Sequence, residues 1–546
     1  MATEQADSRA SAGTSDFPVD WAEPDDAELT WEHDSMHMPF ALAPLSIDYV
    51  QMIMDGILHS HVHWDSPFRL PVRFFNGYTY VAVRYLVPEP HKQALDAYAE
   101  KHRSFIAESE AYWDDTAMPD ITDSRAWFKE VPVGSMALSD LADAWVEAWQ
   151  RAERTWDLHF IAIRGAYQVT DDLSEFHDAV VPDATPGAAL RLIQGRFGAL
   201  HDAEVKLDRL AALAHAEPTL HAAFAAGQAP KIDELESMPE ATAFLADLRE
   251  FLDEHGHLGG SFDDLAFPSW IEEPSIVLGD IRRRLSVEGA PGAEERRATL
   301  LAQADEEAAR VIAILADRPE DLARFEALLD ASRRVGPLTE IHNYWIDRLT
   351  QSQLRTFAMR VGSRLAAAGV LERPEDVLYL TREEVPGILR RPTDRRATVM
   401  ERRSLHDRQK AMRPPATVGK PPVPRDEPDR FDGARYEATD DGTLRGTGAS
   451  AGIARGPARV MNGPADFWKL TPGDVIVAPS SNPSWVPLFT VAGGVLCNTG
   501  GVLSHAAVVA REVGVPAVVG LGDATTRIPD GALVELDGST GLVRIL

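Results

Sequence analysis

The stretch Thr499-Gly-Gly-Val-Leu-Ser-His-Ala-Ala-Val-Val-Ala-Arg-Glu512, followed by Gly514-Val-Pro-Ala-Val-Val-Gly520, has residue types and spacing that suit a chemical step. Ser504 is a good helix N-cap, which puts His505 in the first helical turn. The free backbone N–H groups and the positive dipole end there favour negative charge on or beside the imidazole. Gly500 and Gly501 have no side chains to block a large anion, and with Thr499 and Ser504 they read as a loop that supports a phosphate. Ala506, Ala507 and Ala510 let the helix lie close to a sheet. Imidazole is a competent nucleophile at neutral pH because much of it is unprotonated. The site therefore suits a histidine that accepts a phosphoryl group and passes it on. Local physics leaves a second reading open, in which His505 only caps or packs in a loop.

Short apolar runs and glycine turns surround this segment. Asp474–Ala478, Gly494–Cys497, Pro516–Val519 and Ala532–Leu536 have strand lengths and β-branched content, and Ser504–Glu512 has helical spacing. Interleaved strands and helix predict a compact α/β domain over 442–546. Upstream the pattern changes. From about 92 to 385 it is helical, as in Leu138, Leu141, Trp145 and Trp149, or Leu300, Ala304, Ala308, Val311 and Leu315. Pro337 and Thr339 mark another helix start, with Ile341, Trp345 and Leu349 as its buried stripe. Phe68–Phe75, Asn76-Gly77 and Tyr78–Tyr85 predict a β-hairpin, because Asn-Gly readily adopts positive φ.

Residues 1–30 are acidic and small, which predicts a loose tail. Residues 413–441 are proline-rich at their start and predict an extended linker, with a reach of roughly 90 Å at ~3.1 Å per residue. The chain is thus expected to be multidomain: a mainly helical domain over 31–412 with a small β-hairpin region, then the linker, then the α/β domain.

The chain carries 54 basic and 85 acidic residues, a net charge of −31. From Thr443 onward there are seven of each sign, so the whole excess lies in the first 442 residues. Such a surface repels a phosphate backbone and argues against nucleic-acid binding. No apolar run is long enough to span a membrane, and Met1–Asp7 lacks the pattern of a secretory leader, so a cytoplasmic location is expected. Cys497 stands alone, lies in an expected strand and reads as a small core residue.

The last hundred residues closely resemble the swivelling phosphohistidine domain of the phosphoenolpyruvate-utilising dikinases, a group that includes phosphoenolpyruvate synthase, rifampicin phosphotransferase and phenylphosphate synthase. The likeness runs from Gly446-Thr-Gly-Ala-Ser-Ala-Gly-Ile-Ala-Arg-Gly-Pro-Ala-Arg-Val460 through Gly473-Asp474 and Pro483-Ser-Trp-Val-Pro-Leu-Phe489 to the histidine segment. It implies that His505 becomes phosphorylated. Two upstream segments, Gly256–Pro274 and Leu365–Leu380, are similar to the acceptor-binding domain of rifampicin phosphotransferase, with Leu258 where arginine is usual. The same resemblance points to His257 as an acid–base residue.

Dikinases of this group also carry an ATP-grasp domain, which the acidic helical sequence before residue 443 does not resemble. As in phenylphosphate synthase, the ATP site and its Mg²⁺ are expected on a separate partner subunit, with no cofactor bound tightly by this chain. The expected activity is phosphoryl transfer from His505 to the hydroxyl of a small phenol or 4-hydroxyphenyl ketone. Two alternatives are an antibiotic phosphotransferase whose ATP domain has split off, and a non-enzymatic phosphocarrier or regulatory protein.

For the acceptor pocket, Glu340, Asn343, Tyr344 and Asp347 fall on one arc of roughly 100° of a regular helix, away from the apolar stripe. That arc would line a pocket or face solvent, and His342 is assigned to the structural side. No metal site is assigned. His59-Ser-His-Val-His63 would align three imidazoles on a strand, but about 6.6 Å apart, which fits an aromatic pocket wall with Trp64, Phe68 and Phe74 better than a metal site.

Overall fold

The computed structural model describes residues 17–546 except 90, 183, 185, 186, 197, 227, 228, 260–263, 287, 288, 290, 422–436, 439–442, 482–484 and 503. The helical part is organised by one long helix, Leu138–Val180, 43 residues, or about 65 Å at 1.5 Å per residue. Leu141, Trp145, Ala148, Trp149, Ala152 and Trp156 recur along it at spacings of three and four, and all are buried. Pro44–His63, Leu349–Ala367 and Glu384–Arg390 close over this stripe and complete the largest core. The far end packs with Pro319–Val335 and Ala293–Ile314 into a second core. A third core joins Gly198–Ala216, Thr242–His255 and Ser275–Leu285. No described helix is long and apolar enough to cross a membrane.

The hairpin forms between Val72–Phe75 and Tyr78–Ala82, turning at Asn76 (φ 51°) and Gly77 (φ 79°). It belongs to a four-stranded antiparallel sheet that continues through Thr30–His33 to Thr417–Gly419.

Two sequence expectations need correction here. Residues 1–16 of the expected tail lie outside the described residues, but from Phe17 onward the chain is packed, with the Phe17 ring 5.9 Å from that of Tyr78. The expected linker begins as part of the body: Thr417–Gly419 is an edge strand, and the Tyr80 hydroxyl donates to the Pro415 carbonyl at 2.7 Å. An edge strand tolerates neighbouring prolines because half of its N–H groups need no ladder partner. The rest of the expected linker, apart from Lys420, Pro421 and the short strand Glu437–Ala438, lies outside the described residues.

The His59–His63 segment is also not a strand. Pro44 at the helix start and Leu45, Tyr49, Met52, Ile53 and Gly56 on its buried side carry one helix through to His63. His61 is buried with its ring 5.0 Å from that of Phe68, while His59 and His63, one turn apart, face outward. Three imidazoles on one face would have required the strand repeat of two.

The C-terminal part is an α/β domain on a nine-stranded mixed sheet. Ile453–Val460, Val475–Ala478, Gly494–Cys497 and Ala517–Val519 run parallel at its centre. Thr447–Ser450 adds antiparallel at one edge, and Leu533–Asp537, Leu542–Ile545 and Thr443–Arg445 add antiparallel on the other side. The central strands are buried on both faces, as helix-covered parallel strands must be. Ile476, Ala478, Val495 and Cys497 face one apolar layer, and Val475, Val477 and Leu496 face the other. Burial pushes the Cys497 thiol up to about 12, so it is an inert core group.

Candidate functional site

His505 opens the helix His505–Val513, and Ser504 before it has the extended backbone of an N-cap (φ −65°, ψ 153°). Ala506, Ala507 and Ala510 are buried against the sheet. The preceding loop is held by its own backbone. Thr499 donates its hydroxyl to the Pro479 carbonyl at 3.1 Å, and the Ser504 N–H donates to Gly501 at 3.0 Å. Gly500 has φ 107°, and a β-carbon there would come within 2.6 Å of the Ser504 hydroxyl. Only glycine fits without strain. Arg511 reaches back to donate to the carbonyls of Val502 (2.7 Å) and Ala449 (2.9 Å), tying the loop to the sheet edge. Burial pulls its guanidinium down to about 10, which still leaves it charged at neutral pH. Among the described residues, the Ser504 hydroxyl and both His505 ring nitrogens have no hydrogen-bond partner.

The imidazole faces the helical body. His505 Nδ1 is 3.5 Å from Glu340 Oε2, and the Glu340 carboxylate is almost fully buried. Two further contacts fix this docking. The Gly195 N–H donates to both oxygens of Glu512 (2.9 and 3.0 Å), and Val502 packs beside Gly187 into the core of Leu190 and Ile193. Burial raises the Glu512 carboxyl to about 7. A cleft opens along the seam, lined among others by Leu200, Glu204, Arg296, Arg297, Glu340 and Val508.

The four residues placed on one arc separate into three environments. Leu338–His342 is α-helical, but Asn343–Arg348 is π-helical, so the regular 100° step fails after His342. Glu340 turns to His505, and Asn343 donates to Glu340 at 3.3 Å. Tyr344 is buried, with its hydroxyl 2.8 Å from His255 Nδ1. Asp347 faces the long helix, 3.0 Å from His159 Nε2. His342, assigned to the structural side, is buried beside Asp347 (3.9 Å) and donates Nδ1–H to the Leu338 carbonyl at 2.6 Å.

His257 lies in the core of Phe251, Trp270 and Tyr344, edge-on to the Tyr344 ring at 4.5 Å. Burial first, and Arg125 and His255 after it, lower its pKa to about 3. So weak a base takes up few protons at neutral pH.

Two residues of the long helix, His159 and Tyr167, join the site without a sequence signal of their own. Burial, then the Glu340 and Asp347 carboxylates, push the Tyr167 hydroxyl up. Burial lowers the His159 pKa against the pull of Asp347. Their spacing of eight, two helical turns, puts them on one face, but their partners are some 180 residues away in sequence.

Comparison with known proteins matches residues 470–541 to the family described as PEP-utilising enzyme, mobile domain. Residues 183–340 match the rifampicin phosphotransferase fourth domain. The chain is 29% identical over 580 residues to the chondramide synthase cmdD of Chondromyces crocatus, covering all of this chain and 14% of that protein. It is 26% identical over 416 residues to the uncharacterized phosphotransferase YvkC of Bacillus subtilis, covering 74% of this chain and 49% of that one. It is 32% identical over 325 residues to a rifampicin phosphotransferase of Streptomyces sviceus, covering 58% and 36%. The chain thus spans half or less of the length of each of these relatives.

Proposed function

We propose that this chain, which carries the mobile domain of PEP-utilising enzymes, is the histidine-bearing part of an ATP-dependent dikinase. The observation that carries the reading is the placement of His505, at a helix N-terminus after a glycine-containing segment, against the Glu340 carboxylate of the helical body. A phosphoryl group on a ring nitrogen of His505 would be set beside the cleft, with the dipole end of its helix favouring the charge. Glu340 accepts the acceptor hydroxyl's proton. The oxygen attacks phosphorus, the P–N bond breaks as the P–O bond forms, and the imidazole nitrogen recovers its lone pair. Arg296 and Arg297 on the cleft wall offer cationic groups to the transferring phosphoryl.

In this scheme ATP and Mg²⁺ are handled on a separate ATP-grasp subunit. That division rests on the acidic, helical sequence before residue 443, which does not resemble an ATP-grasp domain. The acceptor is a small phenol or 4-hydroxyphenyl ketone. Supporting this are a cleft with both apolar and charged walls and a carboxylate placed to take a proton.

The test combines the chain with such a subunit, Mg²⁺ and β-³²P-labelled ATP, then adds candidate phenols. Label is expected on the protein first and on the phenol afterwards. Phenol phosphorylation at the normal rate by a His505→Asn chain would refute the reading. Label that stays on the protein with every phenol would favour the phosphocarrier alternative.

A further inference from the structure

Beyond the docking seam, the helical body holds a polar cluster that the transfer step does not use. His159, His342 and Asp347 each offer a ligand atom, and these atoms all lie within 4.8 Å of one another. Each side chain is about 95% buried. The donors come from two packed elements: His159 from the long helix, His342 from the last α-helical residue before the π segment, and Asp347 from within it.

The cluster has three properties of a ligand set. First, its polar atoms are under-satisfied: among the described residues His159 Nδ1 has no hydrogen-bond partner, and His159 Nε2 meets Asp347 Oδ1 at 3.0 Å without an aligned hydrogen bond. Buried polar atoms without aligned partners are destabilising, so this cluster favours an occupant that satisfies them. Second, His342 is pre-oriented. Its Nδ1–H donates to the Leu338 carbonyl at 2.6 Å, which leaves the Nε2 lone pair directed at Asp347, 3.9 Å away. A metal-bound histidine is commonly held in this way by a carbonyl on its other nitrogen. Third, the separations are near those required. Donors about 2.1 Å from a tetrahedral ion lie roughly 3.4 Å apart, against the present 3.0 Å from His159 Nε2 to Asp347 Oδ1 and 3.9 Å from His342 Nε2 to Asp347 Oδ2, with the donor set within 4.8 Å. The π turn supplies the offset, because it lets His342 and Asp347, five residues apart, meet one ring of the long helix.

We propose that His159, His342 and Asp347 bind one divalent transition-metal cation. Two imidazoles and one carboxylate favour Zn²⁺ or Co²⁺ over Mg²⁺, which prefers oxygen donors. Three protein ligands leave at least one position for water or for an oxygen of a bound molecule. This inference concerns side chains of the helical body and stands whether or not His505 carries a phosphoryl group.

The test uses the full chain, stripped with a chelator and dialysed against Zn²⁺ or Co²⁺. One equivalent is expected per chain, and Co²⁺ should give the intense visible bands of a four- or five-coordinate site with nitrogen ligands. Asp347→Asn and His342→Gln should each lower metal affinity at least tenfold, while His59→Gln/His63→Gln on the surface should leave it unchanged. Weak octahedral Co²⁺ bands in the unmutated chain would overturn the proposal, and so would folded Asp347 and His342 variants that keep full affinity. Loss of binding in the His59/His63 variant would overturn it too, by locating the metal at the surface.

Discussion

The α/β domain and the helical body handle polar groups in opposite ways. The domain carries equal numbers of acidic and basic residues over its last 104 positions, and it turns the largely buried His505 ring towards Glu340 of the body. The first 442 residues carry the whole net charge of −31, yet the helical body within them buries a second set of polar groups between its helices, Glu340, Asp347, His159, His342 and Tyr344 among them. Burying ionisable groups is expensive unless they are paired or used. The contrast fits a division of labour in which a neutral, compact carrier docks on a receiver that holds preorganised polar chemistry out of water. Among the described residues, Val502, Glu512 and His505 make contacts between the two regions.

That comparison can be broken at either side. The largest effect is expected from the carrier: His505→Asn should reduce acid-labile, base-stable phosphate on the protein to background, measured by ³²P retention after gel separation. On the receiver side, Glu340→Gln should leave loading of His505 unchanged but slow its discharge to the acceptor by ~10²–10⁴-fold. Equal slowing of both steps would mean that Glu340 acts on the histidine itself rather than on the acceptor.

If the two regions are separate folding units, Trp149→Ala should cost the body ~3–5 kcal/mol and lower its thermal transition. A second calorimetric transition, that of the α/β domain, should stay in place.

The smallest expected effect lies at the seam. Glu512 has its pKa raised by burial, from 4.5 to about 7, with Arg511, Arg297 and Glu340 nearby. The docked state therefore binds a proton more readily than the undocked one between these values, so docking weakens as pH rises through that window. Glu512 is only half-buried by its surface exposure, so about 1 kcal/mol is the scale expected. Denaturant midpoints of the unmutated chain should fall from pH 5 to pH 8, and Glu512→Gln should flatten that slope.

The helix that His505 opens was legible in the sequence because all its parts are neighbours there: two glycines, a cap and a histidine within seven residues, followed by alanines that meet a sheet. The receiver's site was only partly legible. Glu340 and Asp347 carry a helical signal, but the π turn that sends Tyr344 towards His255 and Asp347 towards His159 leaves no trace in residue spacing. His159 sits in an apolar helix stripe and becomes a polar partner only when a segment 180 residues later packs on it. The His59–His63 alternation mimicked a strand because two of its three histidines face solvent from a helix. The strand Thr417–Gly419 was hidden among prolines because edge pairing depends on a distant partner, Thr30–Glu32.

The most direct measurement bypasses nucleotide altogether. The purified chain is loaded chemically with phosphoramidate, which phosphorylates accessible histidine, then freed of excess reagent and mixed with a phenol while ³¹P resonances are followed. The phosphohistidine signal should decay as an aryl phosphate signal grows in equal amount, and Glu340→Gln should slow that exchange. A phosphohistidine at position 505 that hydrolyses to inorganic phosphate at the same rate with and without every phenol, and with or without Glu340, would contradict transfer across this seam.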